Sequence, residues 1–282
     1  MTALTKASDI DIAYLGPEGS FAHMVAQKRY PNHSLIPFRT VPEVFDYLEE
    51  HEQGKGVVPI ENSSGGLITQ TVDGLIEHAC SLLIEEELSL DVKLALMARR
   101  GAKIAKIFSH FAPLYHCSSF LKQRYPGART VPCESTSAAA QAAASDLTSA
   151  AIGPIANAEM CGLEVVEYPI QEDIPNITQF IVVGRTRHDV ATSEKTSLVV
   201  ALENKPGSLF EFLKPFANAG VNLTRIESRP IIGHPNTYMF LVEVKGTEKD
   251  EAVCVAFDGA KAVSTKFYNV GSYPVVARYR SE

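Results

Sequence analysis

The stretch from Gly56 to Ile76, GVVPIENSSGGLITQTVDGLI, contains the repeating unit on which the first part of the chain is built. Its first five residues form an apolar run of strand length, and the next six, Glu61–Gly66, are polar or glycine. Apolar residues then recur at helical spacing from Ile68 to Ile76. A buried strand, a polar turn and an amphipathic helix in this order predict an α/β fold.

Strand-like and helix-like segments alternate in the same way through the first two thirds of the chain. The alternation predicts sheets that are mostly parallel and covered by helices. It is interrupted once, where Ser81–Leu90 and Val92–Ala98 are both extended and could carry the chain into a second lobe. Two such lobes would enclose a cleft, where open α/β sheets tend to bind ligands. The last strand of this part is expected over Gln179–Gly184, directly after Thr178.

A different pattern begins after Arg185–Lys195, a polar and charged segment that predicts a linker. From Thr196 to Val270 the segments follow the order βαββαβ, which is typical of a ferredoxin-like unit of about 75 residues. The turn-rich segment Pro230–Asn236 joins two of its strands. One face of such a sheet is expected to be left open and to pair with another copy.

The composition excludes several classes of protein. The 282 residues are 45% apolar and 21% charged, which excludes a disordered chain. The net charge of −7 argues against general nucleic-acid binding, although local N–H groups could still hold a small anion. We find no signal-peptide pattern and no apolar stretch near the roughly 20 residues of a membrane span. With five widely spaced cysteines, which indicate a reducing compartment, we expect a soluble, cytoplasmic protein.

Common catalytic and metal-binding motifs have little support. The eight histidines match no metal-ligand spacing, and there is no GxSxG, Walker or GxGxxG motif. The acidic runs Glu49–Glu50 and Glu85–Glu87 are interpreted as solvent-exposed faces.

Four polar segments adjoin predicted strands at positions where a ligand could bind. They are Gly16–Ser20 (GPEGS), Glu61–Gly66 (ENSSGG), Glu134–Ala140 (ESTSAAA) and Asn176–Phe180 (NITQF). Their hydroxyl, amide and backbone N–H groups are donors suited to a carboxylate or a phosphate. Taken singly, each segment is better explained as an ordinary turn or helix cap.

In this order, the segments resemble prephenate dehydratases that carry a C-terminal ACT domain. The resemblance extends from Ile12 to Gly271 and is carried by YLGPEGSFAH, VPIENSSGGLITQTVDGL, ESTSAAA, AAIGPIANAEMCGLEV, NITQF, NKPGSLFE and ESRP. It implies a bilobal α/β catalytic region of the periplasmic-binding-protein type over residues 1–185, a linker over 186–195 and a ferredoxin-like ACT regulatory domain over 196–275.

The resemblance also implies a function. The expected reaction is the decarboxylating dehydration of prephenate to phenylpyruvate in L-phenylalanine biosynthesis, with L-phenylalanine as feedback inhibitor. No metal or organic cofactor is implied, and a homodimer or homotetramer is expected. Because the product gains an aromatic ring, positioning and a hydrogen-bond donor can suffice for catalysis.

The family's motifs assign roles to individual residues. Thr178 takes the place of the threonine in a Thr-Arg-Phe motif, which is the favoured catalytic acid. The residues implied to bind substrate are Ser20, Glu61, Asn62, Ser63, Ser135, Thr136, Gln179 and Phe180. The residues implied to bind L-phenylalanine are Gly207, Ser208, Leu209, Phe210, Asn222, Glu227, Ser228, Arg229 and Pro230.

Two of the family's motifs are altered in this chain. Thr-Arg-Phe is Thr178-Gln179-Phe180 here, which removes a fixed positive charge beside the proposed acid. A Ser-His-Pro-Gln stretch is Ser109-His110-Phe111-Ala112, which removes an amide thought to face the substrate. We therefore expect weaker catalysis, a shift to arogenate as substrate, or another positive group that takes over. The alternative from a different functional class is a phenylalanine-binding homologue with little or no catalytic activity.

Overall fold

The computed structural model describes residues 10–170, 174–187, 192–231 and 237–281. These residues form two α/β lobes followed by a smaller α/β domain, each with its own sheet. The predicted turn-rich segment Pro230–Asn236 and the predicted linker lie partly outside the described residues.

The first lobe contains three helices packed on a mixed sheet. Its elements are β1 (Ile12–Leu15), α1 (Phe21–Arg29), β2 (Leu35–Phe38), α2 (Val41–Glu50), β3 (Lys55–Asn62), β4 (Gly66–Leu67), α3 (Thr69–Glu77), β5 (Leu83–Asp91) and β11 (Ile177–Gly184). A final strand, β16 (Val275–Arg280), joins this sheet from the end of the chain. The strand order is β16-β5-β11-β3-β1-β2, with β4 paired to β3.

The second lobe is inserted between β5 and β11. Its elements are β6 (Leu94–Ala98), β7 (Lys106–Ser109), α4 (Phe111–His116), α5 (Ser118–Arg124), β8 (Arg129–Pro132), α6 (Thr136–Ala144), β9 (Ser149–Gly153), α7 (Ala156–Cys161) and β10 (Glu164–Ile170). The strand order is β10-β6-β9-β7-β8. The sequence from Ala112 to Tyr125 predicts a single helix, but the structure divides this region into α4 and α5, with Cys117 between them.

The expectation of mostly parallel sheets is wrong for both lobes. In the first lobe β1 is parallel to β2 and β3, but β11 is antiparallel to both β3 and β5. In the second lobe β6 is antiparallel to both of its neighbours, β9 and β10. The reason is that the chain crosses between the lobes twice, and the strand that returns to the first lobe runs against its neighbours.

The C-terminal domain has the expected βαββαβ order. Its elements are β12 (Lys195–Ala201), α8 (Ser208–Ala219), β13 (Leu223–Pro230), β14 (Tyr238–Lys245), α9 (Glu251–Ala262) and β15 (Lys266–Tyr273). The strand order is β13-β14-β12-β15, and both helices pack on one face of this sheet.

The sequence predicted that the second face of that sheet would be left open for another copy, but in the structure this face is covered. Val199, Leu241 and Tyr273 of this face share a buried core with Ile84 and Ile181 of the first lobe. The regulatory sheet thus packs directly on the lobe that contains β11, which places its edge strand β13 beside the candidate site.

The acidic run Glu85–Glu87 is buried, contrary to the predicted solvent-exposed face. The side chains of its three glutamates pair with cations from three different elements, namely Lys55, Arg29 and Lys195. Burial of a carboxylate is tolerated when it is paired in this way. Within the part of the chain that the structure describes, no helix is long and apolar enough to cross a membrane.

Candidate active site and effector region

Polar loops of the two lobes contact one another at the lobe interface. Ser64 Oγ lies 2.8 Å from His116 Nδ1, which joins the loop after β3 to α4 of the second lobe. Ser137 Oγ donates to the carbonyl oxygen of Glu18 at 3.4 Å, which joins α6 to the loop after β1. The predicted segments Gly16–Ser20 and Glu134–Ala140 therefore contact each other, and Glu61–Gly66 contacts the second lobe through His116, which the sequence did not indicate.

Thr178, the predicted acid, lies in this region and not in packed hydrocarbon. It belongs to β11, which begins at Ile177, two residues before the predicted start, because the ladder with β5 extends to that residue. Thr178 Oγ1 accepts a hydrogen bond from Asn62 Nδ2 at 2.9 Å, and the residue is 8% exposed. The fourth polar segment is thereby joined to the loop after β3.

The Asn62 side chain is held from both ends. Its Oδ1 accepts hydrogen bonds from the backbone N–H groups of Ser64 and Gly65, at 2.9 and 2.7 Å. Its Nδ2 also donates to Asn176 Oδ1 at 2.9 Å. These contacts fix which end of the amide faces Thr178. The Thr178 oxygen therefore receives a positioned N–H donor, which stabilises negative charge on that oxygen.

Several of the predicted hydroxyl groups have structural partners. Ser63 Oγ donates to the carbonyl of Pro175 and accepts from Ile177 N–H, and so fastens the loop to β11. Ser20 and Ser135 are N-caps whose hydroxyls accept from the backbone N–H groups three residues later. The simple interpretation as helix caps thus accounts for these two hydroxyls.

Gln179 and Phe180 show how the strand divides its side chains between two faces. Successive strand residues point to opposite faces, so Gln179 faces away from Thr178. Its Oε1 accepts a hydrogen bond from Arg225 Nη2 of the C-terminal domain at 2.8 Å. Phe180 is 1% exposed and packs in the core. Position 179, where the family motif has an arginine, is therefore on the face of β11 that contacts the regulatory sheet.

Glu61 also faces the regulatory sheet. Its Oε2 accepts hydrogen bonds from Arg225 Nη2 and Nε, at 2.9 and 3.3 Å. Arg225 is thus a cation next to position 179, but it lies on the face of β11 opposite Thr178. Its guanidinium is already bound to Glu61 and Glu243, and so forms part of a domain interface.

Arg225 belongs to a buried cluster of charges between the two domains. Glu243 lies 2.7 Å from Arg225 and 3.2 Å from Lys195, and Lys195 lies 2.8 Å from Glu87. Burial alone would raise the pKa of Glu243, but the ion pairs with Arg225 and Lys195 outweigh burial and hold that pKa below its ordinary value. For Glu87 burial prevails over its pair with Lys195, and its pKa is raised.

The departure at Ala112 lies at the same lobe interface as Thr178. A Cβ atom built on Gly65 would be 3.2 Å from the Ala112 Cβ, so α4 packs closely on the loop after β3. Thr136, another predicted contact of the substrate, is 7% exposed at the start of α6. The neighbouring His110 is partly buried, and burial lowers its pKa.

The predicted effector residues lie on two elements of the C-terminal domain. Gly207 adopts a left-handed φ of 87° as the N-cap of α8, where a residue with a Cβ would be strained. Ser208 Oγ is buried and has no hydrogen-bond partner among the described residues. Leu209 and Phe210 are 39% and 65% exposed, so apolar surface is available at this point.

The ESRP motif forms the last four residues of β13. Arg229 donates to both carboxylate oxygens of Asp73 in α3, at 2.6 and 2.9 Å, and so contacts the first lobe. Ser228 and Pro230 pair in register with Phe240 and Tyr238, and Glu227 pairs with Leu241. The carbonyl of Asn222, just before this strand, accepts from Lys245 N–H.

Arg225, like His116, is a residue near the site that the sequence did not indicate. It precedes the ESRP motif by two residues and shares a strand face with Glu227 and Arg229, but period-2 spacing does not reveal what that face contacts. Asn176, the first residue of the predicted segment Asn176–Phe180, contributes its amide oxygen, which accepts a hydrogen bond from Asn62. Among the residues that the structure describes, no cluster of three or more His, Cys, Asp or Glu could hold a metal ion.

Comparison with known proteins gives two family matches. A family model described as prephenate dehydratase matches residues 12–188, and a model described as the ACT domain matches residues 196–253. The first of these alone covers more than half of the chain.

Curated relatives and solved structures match over nearly the whole chain. A bifunctional chorismate mutase/prephenate dehydratase of Stutzerimonas stutzeri is 34% identical, over 97% of this chain and 75% of the relative. A chloroplastic arogenate dehydratase/prephenate dehydratase 2 of Arabidopsis thaliana is 33% identical, with the same two coverages. A crystal structure of prephenate dehydratase from Arthrobacter aurescens in complex with L-Phe is 32% identical with a TM-score of 0.84, over 94% of this chain and 90% of that chain.

Proposed function

The chain belongs to the prephenate dehydratase family, and from this premise we propose that it converts prephenate to phenylpyruvate, carbon dioxide and water under feedback inhibition by L-phenylalanine. The observation that carries the proposal is the hydrogen bond from Asn62 Nδ2 to Thr178 Oγ1 at the interface of the two lobes. It leaves the threonine hydroxyl with its proton available for a substrate.

The reaction requires one proton transfer to the leaving group. The bond between the ring and its carboxylate breaks, and its electron pair enters the ring as carbon dioxide departs. The ring C–O bond breaks at the other end of the ring, and the departing hydroxide takes a proton to become water. Thr178 supplies that proton and regains one from solvent water, so the enzyme is unchanged at the end of the cycle.

A threonine hydroxyl is a weak acid, and its environment has to stabilise the oxygen that remains. As the proton leaves, negative charge develops on Oγ1, and the Asn62 amide donates to that oxygen. The two backbone N–H groups on Asn62 Oδ1 keep the amide oriented throughout. Positioned donors of this type contribute the largest single part of many rate enhancements.

Substrate carboxylates would be bound by the loops that meet at this interface. We propose that Ser20, Asn62, Ser63, Ser135 and Thr136 line that region, with the N–H groups of their loops as donors. Glu61 and Gln179 act indirectly in this proposal, because their side chains face Arg225 on the other side of the sheet.

L-phenylalanine is proposed to bind at the start of α8 and the end of β13. The unpartnered hydroxyl of Ser208 and the exposed apolar side chains of Leu209 and Phe210 support this position. The solved relative from Arthrobacter aurescens was determined with L-Phe, which makes the same effector reasonable for this chain.

The remaining parts of the proposal concern assembly and location. We propose a homodimer or homotetramer, assembled partly through the C-terminal domains, on whose surface Phe210 and Val255 are 65% and 60% exposed. A cytoplasmic location is consistent with five cysteines that are all free thiols. We retain the division into residues 1–185, 186–195 and 196–275, with β16 as a further strand of the first sheet.

A turnover assay with purified full-length protein tests this proposal. Phenylpyruvate should form from prephenate, L-phenylalanine should suppress it, and Thr178→Ala should abolish most of the activity. Arogenate is assayed in parallel, because one relative carries both dehydratase names. Phenylalanine binding with no turnover of either substrate would instead indicate a sensor protein on this scaffold.

A further inference from the structure

Asn157 is a buried side chain at the lobe interface, and it is not among the residues proposed above to bind or act on substrate. It is the second residue of α7, just beyond the end of β9, and it is 1% exposed. It lies against the loop after β1, since a Cβ atom built on Gly19 would be 2.8 Å from Asn157 Oδ1. Its amide is therefore enclosed between the second lobe and a polar loop of the first.

The amide nitrogen of Asn157 has no hydrogen-bond partner among the described residues. A buried donor left without a partner costs roughly 1–3 kcal/mol, and native proteins contain few such groups. A group of this kind is retained against its cost when a ligand supplies the missing acceptor.

The residues that pack against this amide on two sides are glycines. A Cβ atom built on Gly153 would be 3.4 Å from Asn157 Nδ2 and 3.0 Å from the Thr136 Cβ. Gly19, on the other side, has a left-handed φ of 79°, so a side chain is disfavoured there for a second reason. The free N–H group thus lies beside Thr136, one of the residues proposed to bind substrate.

We infer that Asn157 binds the substrate directly, with Nδ2 donating a hydrogen bond to a carboxylate oxygen of prephenate. This inference rests on the proposed function. It also accounts for the departure at Ala112, because an amide donor absent from α4 is replaced by one on α7, which follows the neighbouring strand of the same sheet.

If Asn157 contacts the substrate directly, its removal should weaken substrate binding without lowering the stability of the free enzyme. Asn157→Ala removes a donor that is unsatisfied without substrate, so the thermal midpoint of the free enzyme should stay the same or rise. The KM for prephenate should increase about 10- to 100-fold, as expected for loss of a hydrogen bond to a charged group, with a smaller change in kcat. Asn157→Asp should be worse, because its carboxylate repels that of the substrate.

Ser149→Ala is the matched control, on β9, the strand that precedes α7. Ser149 is fully buried like Asn157, but its hydroxyl already donates to the carbonyl of Asp146 at 3.0 Å. This variant should lower the thermal midpoint and leave the KM unchanged. Asn157→Ser provides a smaller change in case the alanine variant does not fold.

The outcomes distinguish this inference from the proposed function. A wild-type enzyme that fails to turn over prephenate overturns the proposed function and this inference together. An active wild type whose Asn157→Ala and Asn157→Ser variants keep the KM within threefold overturns the inference alone, whatever their stability. A raised KM with an unchanged or raised thermal midpoint supports it.

Discussion

Arg225 of the regulatory domain donates a hydrogen bond to Gln179, the residue that follows the proposed acid Thr178 in β11, at 2.8 Å. The same guanidinium binds Glu61, which precedes Asn62, the partner of Thr178. Both residues that flank the Thr178–Asn62 pair are therefore bound by one side chain of another domain. The strand that supplies this arginine, β13, also carries the ESRP motif, so part of the proposed effector site lies on a strand that directly contacts the strand of the proposed acid, β11.

The Gln179–Arg225 pair predicts the result of a charge exchange. Gln179→Arg alone places a second guanidinium beside Arg225, and Arg225→Gln alone leaves Glu61 and Glu243 without this cation. Each single variant should lose activity and stability. The double variant should recover much of both, because an arginine at 179 lies opposite Glu61 in the β3–β11 register.

Unfolding free energies and kcat values of the four proteins measure the coupling. A recovery of about 1–3 kcal/mol relative to the sum of the single variants is expected for residues in one network. Strictly additive effects would show that the two side chains do not interact in solution.

Removal of the Arg225 charge should move the pH dependence that Glu243 gives to stability from acid pH towards neutrality and reverse its sign. In the wild type the pKa of Glu243 is lowered, so its ionised form stabilises the fold above its unfolded pKa, and this stability is lost as pH falls through the folded pKa. In Arg225→Met the effect of burial on Glu243 is no longer outweighed, so the pKa of Glu243 in the folded protein rises above its value in the unfolded chain. The free energy of unfolding then falls as pH rises from the unfolded pKa to the folded pKa.

Denaturant unfolding at about pH 5 and about pH 7.5 tests this sign, because the unperturbed pKa of a glutamate lies near about 4.3. At the higher pH, Arg225→Met should lose roughly 3–5 kcal/mol, the usual result of breaking a buried ion pair, and should recover part of it at the lower pH. Arg229→Met, whose pair with Asp73 is half exposed, is the control and should lose less than about 1 kcal/mol. Equal losses by both variants would contradict the role given to burial.

The proposed acidity of Thr178 depends on Asn62, and Asn62→Ala should show this. The variant should lower kcat by about 10²- to 10³-fold, the usual cost of one positioned donor, and should change KM less. Thr178→Val should lower kcat by about 10²- to 10⁴-fold, as expected for loss of a general acid. Because Asn62 acts on Thr178, the double variant should be hardly worse than Thr178→Val, and multiplied losses would show that Asn62 acts elsewhere.

The contrast between Thr178 and Arg225 shows how far the sequence predicts this site. Thr178 and Asn62 lie in short motifs at strand ends; local pattern and a family resemblance single them out, and the structure joins them by a hydrogen bond. Arg225 acts through contacts with Glu61 and Gln179, which are 164 and 46 residues away in sequence. No local pattern contains such contacts, because they depend on how the regulatory sheet packs on the first lobe.

The same reason explains the errors in the predicted fold. The glutamates of β5 appear exposed in sequence, since a charged run is normally solvated, but they are buried by partners from α1, β3 and β12. The direction of β11 depends on the return of the chain from the second lobe. Strand β16 has only six residues, and it is defined by its pairing with β5 and not by its own composition.

The Arg229–Asp73 pair predicts a change in regulation with little change in catalysis. It joins the proposed effector strand to α3 of the first lobe, and Asp73 is not among the residues proposed to bind or act on substrate. If this pair helps to hold β13 against the catalytic region in the effector-free state, its loss makes that state less stable relative to the inhibited one. Asp73→Asn should therefore be inhibited at lower concentrations of L-phenylalanine, by up to about fivefold, since a half-exposed ion pair contributes about 1 kcal/mol at most.

Uninhibited kcat and KM should stay near wild type, and Asp46→Asn, which changes the same charge on α2, is a control that should leave the inhibition unchanged. An Asp73→Asn variant with an unaltered inhibition curve, or one shifted to higher phenylalanine concentrations, would show that this ion pair does not favour the active state.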